Sequence, residues 1–143
     1  MTESERANRA YGVFQTIARG YDAANERISL GRQRRWKRAA IDGLRLKNTG
    51  RGLDLGCGTG DMLELLAERY PGMALVGLDF SPNMLQVAKE RLAGFANVSL
   101  EQGDAMHLGY ADGSFDCVVS AFALRNMASC ERAVGEIARV LRP

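Results

Sequence analysis

Three aspartates sit at matching points of a repeating pattern, each ending or following a short apolar run. Asp54 lies in "RGLDLG", Asp79 closes "MALVGLD" and Asp104 follows "NVSLEQG". Directly after Asp54, "LGCGTGD" places Gly56, Gly58, Thr59 and Gly60 between an apolar run and a helical pattern. Glycines in that setting permit a tight turn, let a ligand approach the backbone, and aim helix N-terminal amides at it. A G-x-G-x-G run alone does not choose the ligand, because dinucleotide-binding folds use a similar loop.

The acids narrow the choice. A negative charge at Asp54 sits poorly beside a pyrophosphate and well beside an ammonium or sulfonium group. S-adenosylmethionine carries both cations and no phosphate. Asp79, nineteen residues beyond Gly60, is placed to accept both hydroxyls of a ribose. Asp104 and Ala105 offer a side-chain oxygen and a backbone N–H to an adenine edge. Any one of these aspartates is also an ordinary helix or turn cap; the row of three points to a bound nucleoside. A second constellation closes the apolar stretch "CVVSAFALRNM", where Arg125 and Asn126 stand at the exit of a buried run. On local sequence Arg125 also fits a salt bridge with Glu131 or Asp22. His107, the one histidine, follows the Asp104 turn and is a weak candidate for acid–base work.

The elements that must position these residues follow from periodicity. Up to residue 48 the pattern is helical: Phe14, Ile17, Ala18, Tyr21, Asn25 and Ile28 recur at three- and four-residue intervals, and Trp36, Ala40 and Leu44 do so again. Tyr21, Phe14 and Trp36 also read as plain core packing. From residue 49 apolar runs alternate with helical patterns, the signature of βαβ units and a parallel sheet. Strands are expected over 51–56, 73–80, 97–104 and 114–122. Helices carry Leu63, Leu65, Leu66 and Ala67, then Leu85, Ala88 and Leu92 behind an N-cap at Ser81 and Pro82, then residues 131–141. This predicts an α/β, doubly wound Rossmann-like domain over 49–143 behind a helical lid over 1–48. The first strand should be central, with the second and third on one side and the fourth on the other. The fourth strand then has a bare outer edge, which implies a C-terminally incomplete sheet or a homo-oligomer that covers it.

Bulk properties agree with one globular domain: 46% hydrophobic and 25% charged residues exclude the disordered and collagenous classes. The polar start "MTESERANRA" lacks a signal-peptide core, so a cytoplasmic protein is expected. Three cysteines outside any C-x-x-C arrangement, with a single histidine, suggest neither a disulfide framework nor a metal site. A net charge of +2 argues against a nucleic-acid partner. Arg32, Arg34, Arg35, Lys37 and Arg38 nevertheless cluster, which reads as a solvated helical face, a peripheral contact with an anionic membrane or, third, a nucleic-acid patch.

The glycine loop and its acids resemble class I S-adenosylmethionine-dependent methyltransferases. "VFQTIARGYDAANERISLGRQRRW", "GLDFSPNML", "GDA", "DGSFDCV" and "FALRN" are similar, more narrowly, to the ubiquinone/menaquinone biosynthesis C-methyltransferase family, UbiE/MenG. The leader and the Arg-Asn element are the most specific of these. The family's usual "FGLRN" is "FALRN" here, so Ala123 adds a methyl group, and the family pattern continues beyond "VLRP". The resemblance implies that Asp54 and the loop face the methionine part of S-adenosylmethionine, Asp79 the ribose, and Asp104 with Ala105 the adenine. Thr59, Phe80, Ser120 and Ala121 complete the expected cofactor-binding set. It also implies methyl transfer to a ring carbon of a demethylated polyprenyl quinol, demethylmenaquinol or a benzoquinol. Arginine stays protonated, so Arg125 would stabilise a phenolate, and Asn126 would donate to the second ring oxygen. Asp22, or a water held by Tyr21 and Asp22, is the candidate base. Methyl transfer to another small molecule, or a cofactor-binding fragment without activity, is the alternative reading.

Overall fold

The computed structural model describes residues 16–143 and, ahead of them, Thr2, Glu5, Asn8, Arg9, Gly12 and Val13. Phe14 lies outside the described residues. Two helices, α1 (Tyr21–Ser29) and α2 (Arg32–Gly43), precede an alternating series. That series runs β1 (Arg51–Leu55), α3 (Asp61–Arg69), β2 (Ala74–Asp79), α4 (Pro82–Leu92), β3 (Val98–Gln102), β4 (Cys117–Val119) and α5 (Cys130–Val140). All strand pairs are parallel and the order is β3-β2-β1-β4, with β1 inside and every one of its residues after Arg51 buried.

Side chains alternate across a strand, and the two faces of the sheet bury different sets. Leu53, Leu55, Val76 and Leu78 pack with Leu108, Phe115 and Val140 on one side. Leu75, Cys117 and Val119 pack on the other with Ile41 of α2 and with Leu63, Leu66, Ala88 and Leu92 of α3 and α4. Asp54 and Asp79 have the parity of Leu75 and Gly77, so both carboxylates belong to the face that α2, α3 and α4 cover. Asp54 stands opposite Gly77 of β2 and Val119 of β4.

Ser81 caps α4 by accepting the Met84 N–H at 3.2 Å, with Pro82 as its first residue, as the sequence indicates. The leader differs from its periodicity. No residue of α1 is buried, and Ile28 and Leu30 are 83% and 81% exposed. In α2 the buried positions are Lys37 and Ile41, and Trp36 is half exposed. The buried stripe lies one residue further on than the Trp36, Ala40, Leu44 series suggests. Ile41 meets the apolar cluster and an acid on α3 compensates the Lys37 charge, so this register satisfies both.

The fourth strand is short, three residues in place of nine. It is the edge strand; just ahead of it Phe115 forms a parallel bridge with Leu141, accepting the Arg142 N–H and donating its own to Val140 O, both at 2.9 Å. Beyond β4 the chain turns through Phe122, whose φ of 61° is unusual for a non-glycine residue, into a 3-10 turn over Leu124–Asn126.

Candidate active site

The carboxyl ends of the strands open into a cavity of about 280 Å³. Its wall takes Tyr21 from α1, Lys37 from α2, Gly56 to Thr59 from the glycine loop and Asp61 from the start of α3. Asp79, Phe80, Asp104, Ala105, Ala121, Phe122 and Asn126 also stand on it.

The loop is built by its glycines. The Gly56 and Cys57 amides both donate to Leu78 O, at 2.8 and 3.0 Å, which folds the loop back over the end of β2. Gly56 has a φ of 71°, and a Cβ there would lie 2.4 Å from the Ala123 Cβ. A glycine is therefore needed twice over, for its dihedral and for the close approach of the segment after β4. The extra methyl of "FALRN" sits against this backbone.

Asp54 is 1% exposed, and its Oδ2 is a buried side-chain oxygen with no hydrogen-bond partner among the described residues. Burial is the main reason that its carboxyl is pushed up to about 8; the Asp61 charge adds to the rise and the Lys37 charge opposes it. A buried, unpartnered carboxylate oxygen is costly, and a ligand cation would remove the cost. Asp54 is not itself on the cavity wall; it lies behind the glycine loop that is, where its orphan oxygen suits the ammonium of S-adenosylmethionine.

Asp79 is oriented by backbone. Its Oδ2 accepts the Gly58 N–H at 2.8 Å and its Oδ1 the Ser81 N–H at 2.9 Å. Burial raises its pKa despite these bonds. The Phe80 amide bonds the carboxylate as well, so three amides aim it, and acceptor capacity remains for a ribose hydroxyl. Asp104 accepts the Met106 N–H at 2.9 Å, and its other oxygen lies 3.0 Å from His107 Nδ1. His107 is thus a partner of the Asp104 turn and does not line the cavity.

The other expected residues fall into two groups. Gly56, Gly58, Thr59, Phe80, Ala105, Ala121, Tyr21 and Asn126 stand on the wall. Gly60, Ser120, Asp22 and Arg125 do not. Ser120 donates to Leu55 O at 2.7 Å, bracing β4 against β1. Asp22 accepts the Thr59 hydroxyl and is ion-paired with Arg91 of α4. Arg125 is exposed, its guanidinium 5.7 Å from the centre of the Phe122 ring, and Asn126 donates to Phe122 O at 3.3 Å. Reading the sequence misses Lys37 and Asp61. Lys37 is masked by the basic run around it, although its spacing of four from Ile41 places both on one helical face.

A β3-β2-β1-β4 parallel sheet, a glycine loop after β1 and acids at the ends of successive strands define the class I S-adenosylmethionine-dependent methyltransferase fold. Solved structures agree. A protein described as a putative methyltransferase, in complex with the Haloferax volcanii Trm112 methyltransferase activator, superposes with a TM-score of 0.77 at 31% identity, over 91% of this chain and 56% of that one. A Methanococcus maripaludis protein described as a putative S-adenosyl-L-methionine-dependent methyltransferase gives a TM-score of 0.77 at 22% identity, over 90% and 59%.

The chain belongs to the ubiE/COQ5 methyltransferase family, whose model matches residues 1–143. Among its relatives are proteins named demethylmenaquinone methyltransferase. The one from Thermus thermophilus is 44% identical over 132 residues, covering 92% of this chain and 60% of the relative. The one from Lactobacillus johnsonii is 41% identical over 137 residues, covering 93% and 56%. The chain therefore spans little more than half the length of these relatives.

Proposed function

We propose that the chain carries the cofactor half, and part of the acceptor site, of an S-adenosylmethionine-dependent C-methyltransferase. Its acceptor is a demethylated polyprenyl quinol, with demethylmenaquinol preferred over a benzoquinol. One observation carries the cofactor assignment: the buried, donor-less Oδ2 of Asp54 behind a glycine loop that leaves no room for a side chain at Gly56. Support for the naphthoquinol comes from the names of the Thermus and Lactobacillus relatives.

When bound, S-adenosylmethionine supplies an electrophilic methyl group. The chain's residues bind and orient. Asp54 compensates the ammonium, Asp79 takes the ribose hydroxyls, and Asp104, Ala105 and Phe80 enclose the base. Ring carbon is a weak nucleophile until a neighbouring hydroxyl gives up its proton, so the second task is to favour the phenolate. Arg125, on a long side chain at the rim, supplies the positive charge, with Asn126 beside it on the wall. Tyr21 of α1 lines the cavity and is placed to hold a proton-accepting water. The acceptor's lipid tail calls for a membrane surface, and exposed Ile28, Leu30 and Trp36 lie close in sequence to Arg27, Arg32, Arg34 and Arg35. No helix among the described residues is long and apolar enough to cross a membrane, so the contact proposed is peripheral.

The test is transfer of labelled methyl from S-adenosylmethionine to demethylmenaquinol and to a demethylated benzoquinol. Labelled naphthoquinol product supports the proposal; exclusive labelling of the benzoquinol shifts the acceptor. Cofactor binding without transfer to either favours a binding unit that lacks the activity.

A further inference from the structure

Among the described residues the large apolar side chains that stay exposed are few, and two of them, Phe80 and Phe122, stand on the cavity wall. Phe80 follows β2 and Phe122 comes after β4, so the two rings reach the wall from opposite sides of the central strand. Phe80 goes with the base of the cofactor. Phe122 is 40% exposed and belongs to neither apolar cluster of the core. Its φ of 61° is strained for a residue with a Cβ, and Asn126 helps to hold it by donating to Phe122 O at 3.3 Å. A ring that served packing would be buried. A turn that served only the path of the chain would be less strained with glycine.

The position of the ring gives the strain a use. Ala123, next in the chain, stands so close to the glycine loop that a Cβ on Gly56 would lie 2.4 Å from its own. Phe122 is thereby held beside the loop assigned to the methionine part of the cofactor, where an acceptor must lie to receive a methyl group. The Lys37 ammonium is 5.8 Å and the Arg125 guanidinium 5.7 Å from the centre of the ring. An aromatic seated on Phe122 stands in the field of both cations, which favours the ionised form of its hydroxyl.

We propose that Phe122 is the stacking platform for the acceptor's aromatic ring and a determinant of ring size. Stacked aromatic pairs attract beyond the area they bury, and a fused bicyclic ring covers more of the platform than a single ring does. The inference rests on the quinol reading of the acceptor.

Fluorescence titration with 1-naphthol, and with phenol as its competitor, tests it on the chain saturated with S-adenosylhomocysteine, which keeps both probes off Phe80. The unmodified chain is expected to bind 1-naphthol about ten-fold or more tightly than phenol. Phe122→Gly and Phe122→Leu should lower that ratio roughly 3- to 10-fold, and Phe122→Tyr should leave it within about two-fold. Phe122→Gly should also raise the melting temperature, since it relieves the strain while removing the ring. A ratio that survives both Phe122→Gly and Phe122→Leu overturns the platform and leaves the quinol reading intact. So does a ratio that falls only in step with a lower melting temperature, which makes the ring structural. If the loaded chain binds neither probe, the acceptor reading of this wall falls with the platform.

Discussion

Thr59 of the glycine loop donates its hydroxyl hydrogen to Asp22 of α1, with Oγ1 2.7 Å from Oδ1. Asp22 is also ion-paired with Arg91 of α4, so one carboxylate joins the leader, the cofactor loop and the helix behind it. Such a tie makes Asp22 a fastening before it can be a base. Asp22→Ala should lower stability by about 1–3 kcal/mol, because it leaves Arg91 and the Thr59 hydroxyl without their partner, and should weaken S-adenosylhomocysteine binding in step. Thermal unfolding and calorimetry check this. If Asp22 is the base instead, turnover collapses while the melting temperature and cofactor affinity stay put.

The ionisation of Asp54 predicts a pH dependence with a definite sign. Its folded pKa, about 8, stands above the ordinary value of 3.8, so between those limits the folded chain holds a proton that the unfolded chain has lost. The contribution of Asp54 to stability is therefore fully present below about pH 4, falls as pH rises towards 8, and is level beyond. Denaturant unfolding of the ligand-free chain and of Asp54→Asn, compared from pH 5 to 8, should show a difference that grows in favour of the variant, to several kcal/mol at most. Cofactor binding should do the reverse. Near pH 7 a bound ammonium favours the carboxylate, so binding should release close to one proton. Calorimetry in buffers of different ionisation enthalpy measures that release.

Gly56 and Ala123 form a pair whose spacing can be tested by rescue. Gly56→Ala places a Cβ 2.4 Å from that of Ala123 at a φ of 71°, whereas a Cβ on Gly58, at a φ of 55°, meets nothing within 4 Å. Gly58→Ala should cost only the left-handed strain, about 1–2 kcal/mol. Gly56→Ala should cost more, by about 1–3 kcal/mol for the overpacking. Adding Ala123→Gly to Gly56→Ala should recover most of the overpacking and none of the strain. Urea midpoints of the four chains decide it, and no recovery in the double variant would show that Ala123 is not the obstacle.

What the sequence made legible was whatever depends on short-range pattern. Short apolar runs alternating with helical patterns set the strands, and the Ser81–Pro82 cap set the start of α4. The spacing from the loop to Asp79 and Asp104 placed the row of acids. What escaped it depends on which neighbour a side chain meets. Lys37 looks like its arginine neighbours in a basic run, and its burial follows from an acid 24 residues on and an isoleucine one turn away. Asp22 and Tyr21 are adjacent in sequence, yet only Tyr21 reaches the cavity, because a helix turns successive residues by about 100°. The parallel bridge between Phe115, just ahead of β4, and Leu141 also escaped the sequence, because Leu141 looks like the end of a helix; β4 itself is the edge strand, as its place in the pattern indicates.

The turn between α1 and α2 should carry the membrane contact. Leu30 adopts a φ of 53° there and, with Ile28, is more than four-fifths exposed. Cosedimentation with phosphatidylglycerol-containing vesicles should exceed that with neutral phosphatidylcholine vesicles and fall with added salt. A variant with Ile28 and Leu30 both replaced by Ser should bind about ten-fold more weakly, with cofactor affinity unaltered. Equal recovery on both vesicle types would leave the basic stretch as a solvated face.

Arg125 and Asn126 are neighbours that differ in their contacts. Asn126 donates to Phe122 O at 3.3 Å, and Phe122 holds a φ of 61°, a conformation that persists only where its surroundings fix it. Asn126 is thus part of what keeps the wall after β4 in its strained shape. Arg125 has its guanidinium over the Phe122 ring, at a distance where the attraction is on the order of 0.5–1 kcal/mol for an exposed pair. That is weak enough for the side chain to leave the ring for a stronger anion. Arg125→Ala should therefore reduce turnover with demethylmenaquinol by about 100-fold or more while leaving the melting temperature and S-adenosylhomocysteine affinity nearly unchanged. Asn126→Ala should raise the quinol KM and lower the melting temperature together, because the wall relaxes, and Phe122→Gly in that background should restore the melting temperature without restoring KM. If Arg125→Ala instead loses stability in proportion to activity, the arginine is holding the wall as its neighbour does, and the positive charge at the acceptor must come from elsewhere.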